Sequence, residues 1–221
     1  MAIPIIDNWK EYFINPDEGL GSSYERIVLN NKLMEICEKY HIKKILEAPL
    51  FGFTGISGIN SIALAKTKHH ITLVDHDQER MELIRQTWIK LNINADFNYL
   101  EDYYQLPFPA KVFDFSWNFS ALWFVRDLEK FLSELSRVTS QAILICVPNR
   151  SGLGYLTQKW GNGSSTLTRI YEENINPALF CNVLHLNGWK LEEQGYIDCP
   201  PWPDIGMPKE KFLRKIGMGW L

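Results

Sequence analysis

The sequence has few cysteines, and none of the four stands in a pattern that joins it to another. Cys37, Cys146, Cys181 and Cys199 form no CxxC pair, and no histidine lies near them at the spacing of a metal ligand. A disulfide framework or a zinc site is therefore not expected, and the thiols are predicted to be reduced. The sequence predicts no other metal site.

Long hydrophobic runs are also missing. No uninterrupted apolar stretch approaches the roughly 18 residues that are needed to span a bilayer. The first residues, MAIPIIDNWKEYF, lack the basic flank and the apolar core of a secretory signal. The sequence therefore predicts a cytoplasmic protein without a membrane span.

An excess of charge is lacking as well. The 221 residues carry a formal net charge of -3, so no global field attracts nucleic acid, and none is expected as a partner. A small-molecule substrate is the expected partner, and a homodimer is compatible with the composition. Hydrophobic residues make up 46% of the chain, which is enough to build the core of one domain.

What the sequence does contain is a short apolar strand, a glycine-containing loop and the start of a helix, all between Lys44 and Lys66. Ile45 to Ala48 predicts the buried strand, and Ile59 to Ala65 predicts the helix. Such a unit places a ligand just beyond the carboxyl end of its strand, where glycine lets the backbone come close. The loop holds Gly52, Gly55 and Gly58.

Strand and helix patterns alternate from Lys43 to Val147. This alternation predicts an α/β protein with a Rossmann-like, doubly wound, mostly parallel sheet and helices on both faces. The further predicted strands are His70 to Val74, Ala95 to Leu100, Val112 to Trp117, Ala142 to Val147 as a central strand, and Trp189 to Ile197. The predicted helices begin at Ser22 or Ser23 (ending near Tyr40), after Asp77, at Leu128 (ending at Val138) and at Pro177 (ending at Leu186).

The N-terminal piece, residues 1–42, is predicted to act as a helical lid over the ligand cleft or to cover one sheet face. Both roles are common for a helix that precedes the first strand. Residues 43–149 are predicted to form the ligand-binding core, and residues 150–221 a substrate loop, a last helix and strand, and a tail. All three belong to a single domain, 1–221.

Two acids stand where a nucleoside would be held. Asp75 ends the second strand, twenty residues beyond Gly55, and an ionised acceptor there can bind both hydroxyls of a ribose. Asp102, in the loop after the third strand, is placed to accept a hydrogen bond from an exocyclic amine, with Tyr103 or Leu106 against the ring. A helix-capping role for Asp75 and a solvated loop position for Asp102 are the competing interpretations.

These motifs resemble those of class I S-adenosylmethionine (SAM)-dependent methyltransferases of the small-molecule, methyltransferase-11-like type. The resemblance spans about Lys43 to Asn149 and includes four quoted stretches. They are ILEAPLFGFTG for the glycine motif, TLVDHD for the ribose acid, EDYYQLPFP for the adenine loop, and VFDFSWNFSALWFV for the fourth strand. Pro49 departs from the family pattern, because it stands at the first glycine position.

The resemblance implies SAM as the cofactor and carries family roles to particular residues. Glu47 would lie near the methionine ammonium, Gly52 and Gly55 beneath the methionine and ribose, and Asp75 at the ribose. Asp102 would read the adenine. His76, next to the ribose acid, and Tyr103 are also predicted on the cofactor side, and Asn118 is predicted to contact the methionine or the acceptor through its amide. The acceptor pocket is predicted to hold Tyr24, Trp123, Tyr155 and Trp160, together with Trp117, which suits a flat or apolar acceptor.

The expected function is therefore methyl transfer from SAM to a small molecule, and no residue is marked as a general base. Two alternatives stay open. One is a catalytically silent SAM-binding or regulatory protein, since fold does not fix function. The other is an NAD-dependent oxidoreductase, which is disfavoured because the sequence has no GxGxxG motif.

Overall fold

The computed structural model describes residues 9–14, 19–50, 57–150, 171–197 and 217. Within them, five strands and six α-helices follow one another along the chain. The strands are β1 (Lys44–Glu47), β2 (His70–Asp75), β3 (Asp96–Tyr99), β4 (Phe113–Phe119) and β5 (Thr139–Cys146). The helices are α1 (Trp9–Ile14), α2 (Gly19–Lys39), α3 (Ile62–Lys66), α4 (Gln78–Lys90), α5 (Leu128–Val138) and α6 (Pro177–Leu186). Two 3-10 helices cover Leu122–Phe124 and Glu172–Ile175.

The described strands form one sheet in the order β3-β2-β1-β4-β5. Every neighbouring pair is parallel. The chain builds outward from β1 to β2 and β3, and then returns to β4 on the other side of β1. The predicted doubly wound, Rossmann-like sheet is thereby confirmed, and its switch point lies between β1 and β4.

Side-chain alternation along β1 divides the core into two layers. Ile45 is buried in a cluster with residues of α2, α3 and α4, whereas Leu46 is buried with residues of α5 and α6. Because successive side chains of a strand point to opposite faces, helices must cover both faces. The predicted helices on both faces are therefore present.

Helix α2 covers one of these faces. It begins at Gly19, before the predicted start at Ser22 or Ser23, and ends one residue before Tyr40. Leu29, Leu33 and Cys37 recur every four residues and are buried against the sheet. Of the two roles predicted for residues 1–42, this helix takes the covering role.

The predictions for α5 and α6 are exact at both ends. Each helix starts at a side chain that accepts a hydrogen bond from its first turn, Asp127 from the Lys130 amide and Asn176 from the Ala178 amide. Strand β4, in contrast, begins one residue later than predicted and continues two residues further, to Phe119. This extension brings Asn118 into the sheet.

The prediction of a last strand over Trp189 to Ile197 is wrong. These residues are described but form no strand, and Leu191 and Tyr196 are 59% and 78% exposed. Glu192 and Glu193 instead form ion pairs with Lys39 and Lys32 of α2. The expected central position of β5 also differs, because β5 lies at the edge of the described sheet with residues 142–146 half-buried.

Gly58, in the segment after β1, packs against helix α4. Its φ is +72°, and a Cβ built on it would lie 2.7 Å from Cγ2 of the fully buried Ile84. Its carbonyl accepts a hydrogen bond of 2.7 Å from the indole of Trp88. Both the left-handed backbone and the close approach of α4 therefore require glycine here.

We expect Gly58→Ala to lower the free energy of unfolding by about 2–4 kcal/mol, because it adds left-handed strain to overpacking against Ile84. Gly188→Ala is the matched control: its φ is +87°, but nothing lies within 4 Å of the added carbon. The control should cost only about 1–2 kcal/mol. Urea unfolding of both variants measures the difference, and equal losses would contradict a packing role for Gly58.

Candidate functional site

The carboxyl edge of the sheet gathers several predicted site residues. β1 ends at Glu47, which is paired with Leu73 of β2 on one side and Trp117 of β4 on the other. Asp75 ends β2, and Asn118 lies next to the end of β4. Because parallel strands end at the same edge, these three residues lie at the edge where ligands of such sheets bind. The register places Glu47 and Asp75 on one face of the sheet and Asn118 on the other.

Glu47 is held in an apolar environment. Its side chain is 1% exposed, and Oε2 accepts a hydrogen bond of 2.5 Å from the Ser61 hydroxyl, just before α3. Burial raises the pKa of Glu47 to about 8, although the Ser61 hydrogen bond and the charge of Arg26 act in the opposite direction. At neutral pH this carboxyl is therefore largely protonated, and a bound cation would favour its ionised form.

Arg26 is a site residue that the sequence analysis missed. It lies on α2, and its Nη1 donates a hydrogen bond of 2.9 Å to Oδ1 of Asn60. Its charge also acts on Glu47. No sequence signal marks it, because Arg26 precedes β1 by a whole helix and only the packing of α2 brings it to this edge.

Asn118 has unused hydrogen-bonding capacity. It is fully buried, yet neither its amide oxygen nor its amide nitrogen has a partner among the described residues. The neighbouring Trp117 indole N–H is buried and unpartnered in the same way. A buried polar group without a partner costs about 1–3 kcal/mol, so its presence at the switch point indicates a ligand.

Asp75 is fully buried and already engaged. Arg80, in the first turn of α4, donates from Nε to Oδ2 at 2.8 Å and from Nη2 to Oδ1 at 2.5 Å. The Asp77 amide also donates to Oδ1, at 3.0 Å. Asp75 thus stands at the predicted place, but its carboxylate is neutralised by an arginine that the sequence analysis did not consider.

The predicted adenine-side residues form a small polar cluster beside Asp75. The Tyr103 hydroxyl and His76 Nδ1 are hydrogen-bonded at 2.8 Å. Burial lowers the pKa of His76 and raises that of Tyr103 well above its usual value, so both groups are neutral at pH 7. Asp102 is exposed, and its Oδ1 accepts a hydrogen bond from the Tyr104 amide at 3.0 Å.

Three of the five predicted acceptor residues are described, among them the fully buried Trp117, and the environments of the other two differ. Tyr24, on α2, is 59% exposed, whereas Trp123 is fully buried and donates from its indole to the Ser120 carbonyl at 2.6 Å. Tyr155 and Trp160 lie outside the described residues, as do Gly52 and Gly55 of the glycine loop. The roles of these residues stay predictions, although the position of Trp123 is that of a core residue.

A cavity of about 560 Å³ opens at the opposite, amino edge of the sheet. It is lined by residues at or near strand starts, among them Lys44, His70 and Asp96. Because ligands of parallel sheets bind beyond the carboxyl ends of the strands, this cavity is not the candidate site. In the part of the chain that the structure describes, no group of three or more His, Cys, Asp or Glu side chains could hold a metal ion.

The central part of the chain is similar to known methyltransferases. Residues 54–146 match the family model described as a methyltransferase domain. A search among curated proteins finds no match. An SAM-dependent methyltransferase from Aquifex aeolicus is similar in structure, with a TM-score of 0.53 and 18% identity over 72% of this chain and 80% of that one.

Two further solved structures have the same fold. One is an SAM-dependent methyltransferase from Clostridium acetobutylicum, with 15% identity, coverage of 70% of this chain and 62% of that one, and a TM-score of 0.53. The other is the cyclase SpnF, with 17% identity, coverage of 72% and 56%, and a TM-score of 0.50. The chain thus spans less than two thirds of the length of these two structures.

The match over residues 54–146 places a methyltransferase domain on the central part of the chain, and the structural likeness shows the Rossmann-like fold. The resemblance to class I methyltransferases is thereby confirmed, with SAM as the cofactor that it implies. None of the described helices has the length and apolar character needed to cross a membrane.

The residues at the carboxyl edge fit one half of SAM better than the other. Glu47, Arg26 and the Asn118 amide offer an acid, a cation and an amide to an amino-acid group. Asp75, at the ribose position, has both oxygens occupied by Arg80. The methionine half would need only the loss of a proton from Glu47, whereas the ribose half would need Arg80 to leave Asp75.

The raised pKa of Glu47 gives stability a defined pH dependence. Between pH 4.5 and about pH 8 the folded state holds a proton that the unfolded chain has released, so stability falls as pH rises through this window. Relative to Glu47→Gln, the parent should lose up to about 1.4 kcal/mol of unfolding free energy per pH unit. Urea unfolding across the range measures the slope.

Glu82→Gln is the control for this titration. The hydrogen bond from Arg85 lowers the pKa of Glu82 to about 2, so the stability that Glu82 contributes is present above pH 4.5 and lost as pH falls through the acid range. Replacement of Glu82 should change the dependence of the unfolding free energy on pH below about pH 4.5 and leave it unchanged at neutral pH. If the free energy of unfolding depends on pH in the same way in the parent and in Glu47→Gln, Glu47 is ionised in the folded protein at neutral pH.

Proposed function

We propose that the chain transfers a methyl group from SAM to a small-molecule acceptor. The observation that carries the proposal is the fully buried Asn118, whose amide has no partner among the described residues and which follows Trp117, the residue of β4 that is paired with Glu47. The net charge of -3 supports a small molecule over a nucleic acid as acceptor. In this proposal, residues 43–149 bind the cofactor, while residues 1–42 and 150–221 shape the acceptor side.

The chain's own residues hold the amino-acid end of the cofactor. Glu47 gives up its proton and pairs with the ammonium, because a neighbouring cation lowers the pKa of a buried carboxyl. Arg26 faces the carboxylate, and the Asn118 amide donates and accepts at the same end. The family resemblance implies that Gly52 and Gly55, which lie outside the described residues, would contact this part.

Residues at the end of β2 and in the loop after β3 would hold the adenosine end. His76 and Tyr103 remain neutral and hydrogen-bonded to each other, with their rings nearly perpendicular at 81°, so the partly exposed His76 ring would be the one to contact the adenine. Asp102 reads the exocyclic amine from the exposed loop. Asp75 holds the ribose once its carboxylate is available.

SAM, when bound, supplies a methyl group on an already electrophilic sulfonium. The protein's contribution is then alignment, which can lower a barrier by on the order of 7–11 kcal/mol in favourable cases. A general base is required only for an acceptor that keeps its proton at neutral pH. The aromatic residues Tyr24, Tyr155 and Trp160 suit a flat or apolar acceptor.

A catalytically silent SAM-binding protein is the second candidate. The observation that favours it is the Asp75–Arg80 ion pair, which occupies the ribose position. Release of S-adenosylhomocysteine during incubation with a broad panel of small acceptors separates the two functions. Binding of SAM without product release on any acceptor would favour the silent protein.

Isothermal titration with SAM, S-adenosylhomocysteine and NAD tests the cofactor itself. We expect both adenosyl compounds to bind and NAD to give no heat of binding. NAD lacks the amino-acid group that Glu47 and Asn118 are proposed to hold. A positive result with NAD alone would overturn the proposal in favour of an oxidoreductase.

We expect Asn118→Leu to weaken S-adenosylhomocysteine binding about 10- to 100-fold, since hydrogen bonds to a buried amide are lost. The same change should leave the unliganded protein as stable as the parent or more so, because an unpartnered polar group is removed. Calorimetric titration and thermal unfolding measure the two effects.

Ser136→Ala serves as the matched control. Ser136 also has a buried hydroxyl without a partner among the described residues, but it lies near the end of α5, at the amino edge of the sheet. The control should change stability in the same direction and leave ligand affinity untouched. A similar loss of affinity in both variants would contradict a ligand role for Asn118.

A further inference from the structure

The hydrogen-bonding capacity of Asp75 is nearly exhausted. Each carboxylate oxygen offers two lone pairs. Oδ1 is filled by Arg80 Nη2 and the Asp77 amide, while Oδ2 already accepts from Arg80 Nε. The donors of the described residues leave one lone pair, on Oδ2, so Asp75 cannot accept from both hydroxyls of a ribose while Arg80 stays in place.

Trp9 closes over this ion pair from the N-terminal side. The guanidinium carbon of Arg80 lies 5.2 Å from the centre of the Trp9 ring, and the Arg80 side chain is only 3% exposed. Trp9 is itself buried with Trp123 and Ile175, which belong to the two 3-10 helices. Helix α1 thus reaches across the carboxyl edge of the sheet, and we call Trp9 together with Arg80 the latch.

We infer that the latch is an internal competitor for the ribose of the adenosyl ligand. In the latched state Arg80 takes the hydrogen bonds of Asp75 that the sugar hydroxyls need, and Trp9 covers the guanidinium. Ligand binding therefore requires Arg80 to leave Asp75 and α1 to undock. This inference rests on the proposed function, because it takes an adenosyl compound as the ligand.

The surrounding contacts make such an opening accessible. Helix α1 has six residues, too few to be stable alone, so it depends on its docking contacts. Among the described side chains of α1, Lys10 forms an ion pair with Glu79, and the two side chains are 56% and 61% exposed. An exposed pair of this kind stabilises little.

Arg80 also has a second acid within reach. Its Nη1 lies 3.5 Å from Oδ2 of Asp77, which is one-third exposed at the start of α4. A small movement of the guanidinium toward Asp77 keeps its charge paired and frees Asp75. The sugar hydroxyls can then take the place of the two Arg80 hydrogen bonds, so the buried Asp75 charge stays satisfied in both states.

The latch predicts that weakening it strengthens ligand binding. When the competent state is only a fraction of the population, the apparent Kd exceeds the intrinsic Kd by the inverse of that fraction, about tenfold if the latch is closed nine-tenths of the time. We expect Trp9→Ala to bind S-adenosylhomocysteine about 5- to 10-fold more tightly than the parent. Calorimetric titration gives the values.

Arg80→Met tests the other half of the latch. It removes the competitor itself, so we expect a gain in affinity at least equal to that of Trp9→Ala, although the unliganded fold loses stability because Asp75 is left unpaired. Ile14→Ala, on the exposed side of α1, and Arg85→Met, which removes an exposed ion pair on α4, are the matched controls. Both should bind like the parent.

Hydrogen exchange gives a readout that an ordinary stabilising contact would not move. In the parent, saturating S-adenosylhomocysteine should increase exchange in residues 9–14 while it protects the ends of β1 and β4. Increased protection of residues 9–14, or unchanged or weaker binding by both Trp9→Ala and Arg80→Met, would overturn the latch.

The same titrations separate the latch from the proposed function. If the parent binds and neither latch variant gains affinity, the latch is wrong and the function stands. If the parent does not bind but Trp9→Ala does, the latch is supported in its strongest form. If the parent and both folded latch variants fail to bind, the adenosyl ligand and the function proposed from it are wrong, and the latch falls with them.

Discussion

The parallel pairing of β1 with a strand on each side is the constraint on which the rest of the site depends. Only four residues long, β1 is buried from Ile45 onward and paired with β2 and β4. This pairing aligns three strand ends and thereby brings together side chains that are separated by up to about seventy positions in the sequence. Without it, Glu47, Asp75 and Asn118 would be unrelated polar residues.

Two carboxyl groups, Glu47 and Asp75, are buried at one edge of the sheet, and a buried negative charge is unfavourable. The two groups are stabilised in different ways. Glu47 is kept neutral by taking up a proton, with a serine hydroxyl on one oxygen. Asp75 stays charged and acquires a buried arginine. The first solution leaves the carboxyl available to an incoming cation, whereas the second uses up the carboxylate, and this difference explains why the edge suits an amino-acid group more readily than a sugar.

Much of the fold follows from the sequence, because apolar strands and amphipathic helices alternate with short connections. Helices α5 and α6 could be predicted to the residue since each begins at a capping side chain. The segment from Trp189 to Ile197 could not, because strand identity depends on a neighbour that a sequence pattern does not reveal. Its glutamates pair with lysines of α2, more than 150 positions earlier in the chain.

The candidate site was predictable to a lesser degree. Strand-end positions mark Glu47, Asp75 and Asn118, since topology alone places them at the same edge. The partners of these residues are not marked: Arg26 and Ser61 arrive through helix packing, and Arg80 stands among the apolar residues of α4 without any pattern to distinguish it. The sequence therefore does not reveal whether a strand-end carboxylate is available to a ligand or already hydrogen-bonded to another side chain.

The segment that carries the glycine motif is anchored at both ends to the structural elements that bear Asp75 and Arg80. Before it, the Leu50 amide donates to the Val74 carbonyl of β2, and after it, the Gly58 carbonyl accepts from Trp88 of α4. A displacement of α4 that accompanies release of Arg80 would therefore pull directly on the far anchor. Binding of the ribose at Asp75 would then shift the glycine segment, and this shift would change the geometry of the site that the methionine half occupies.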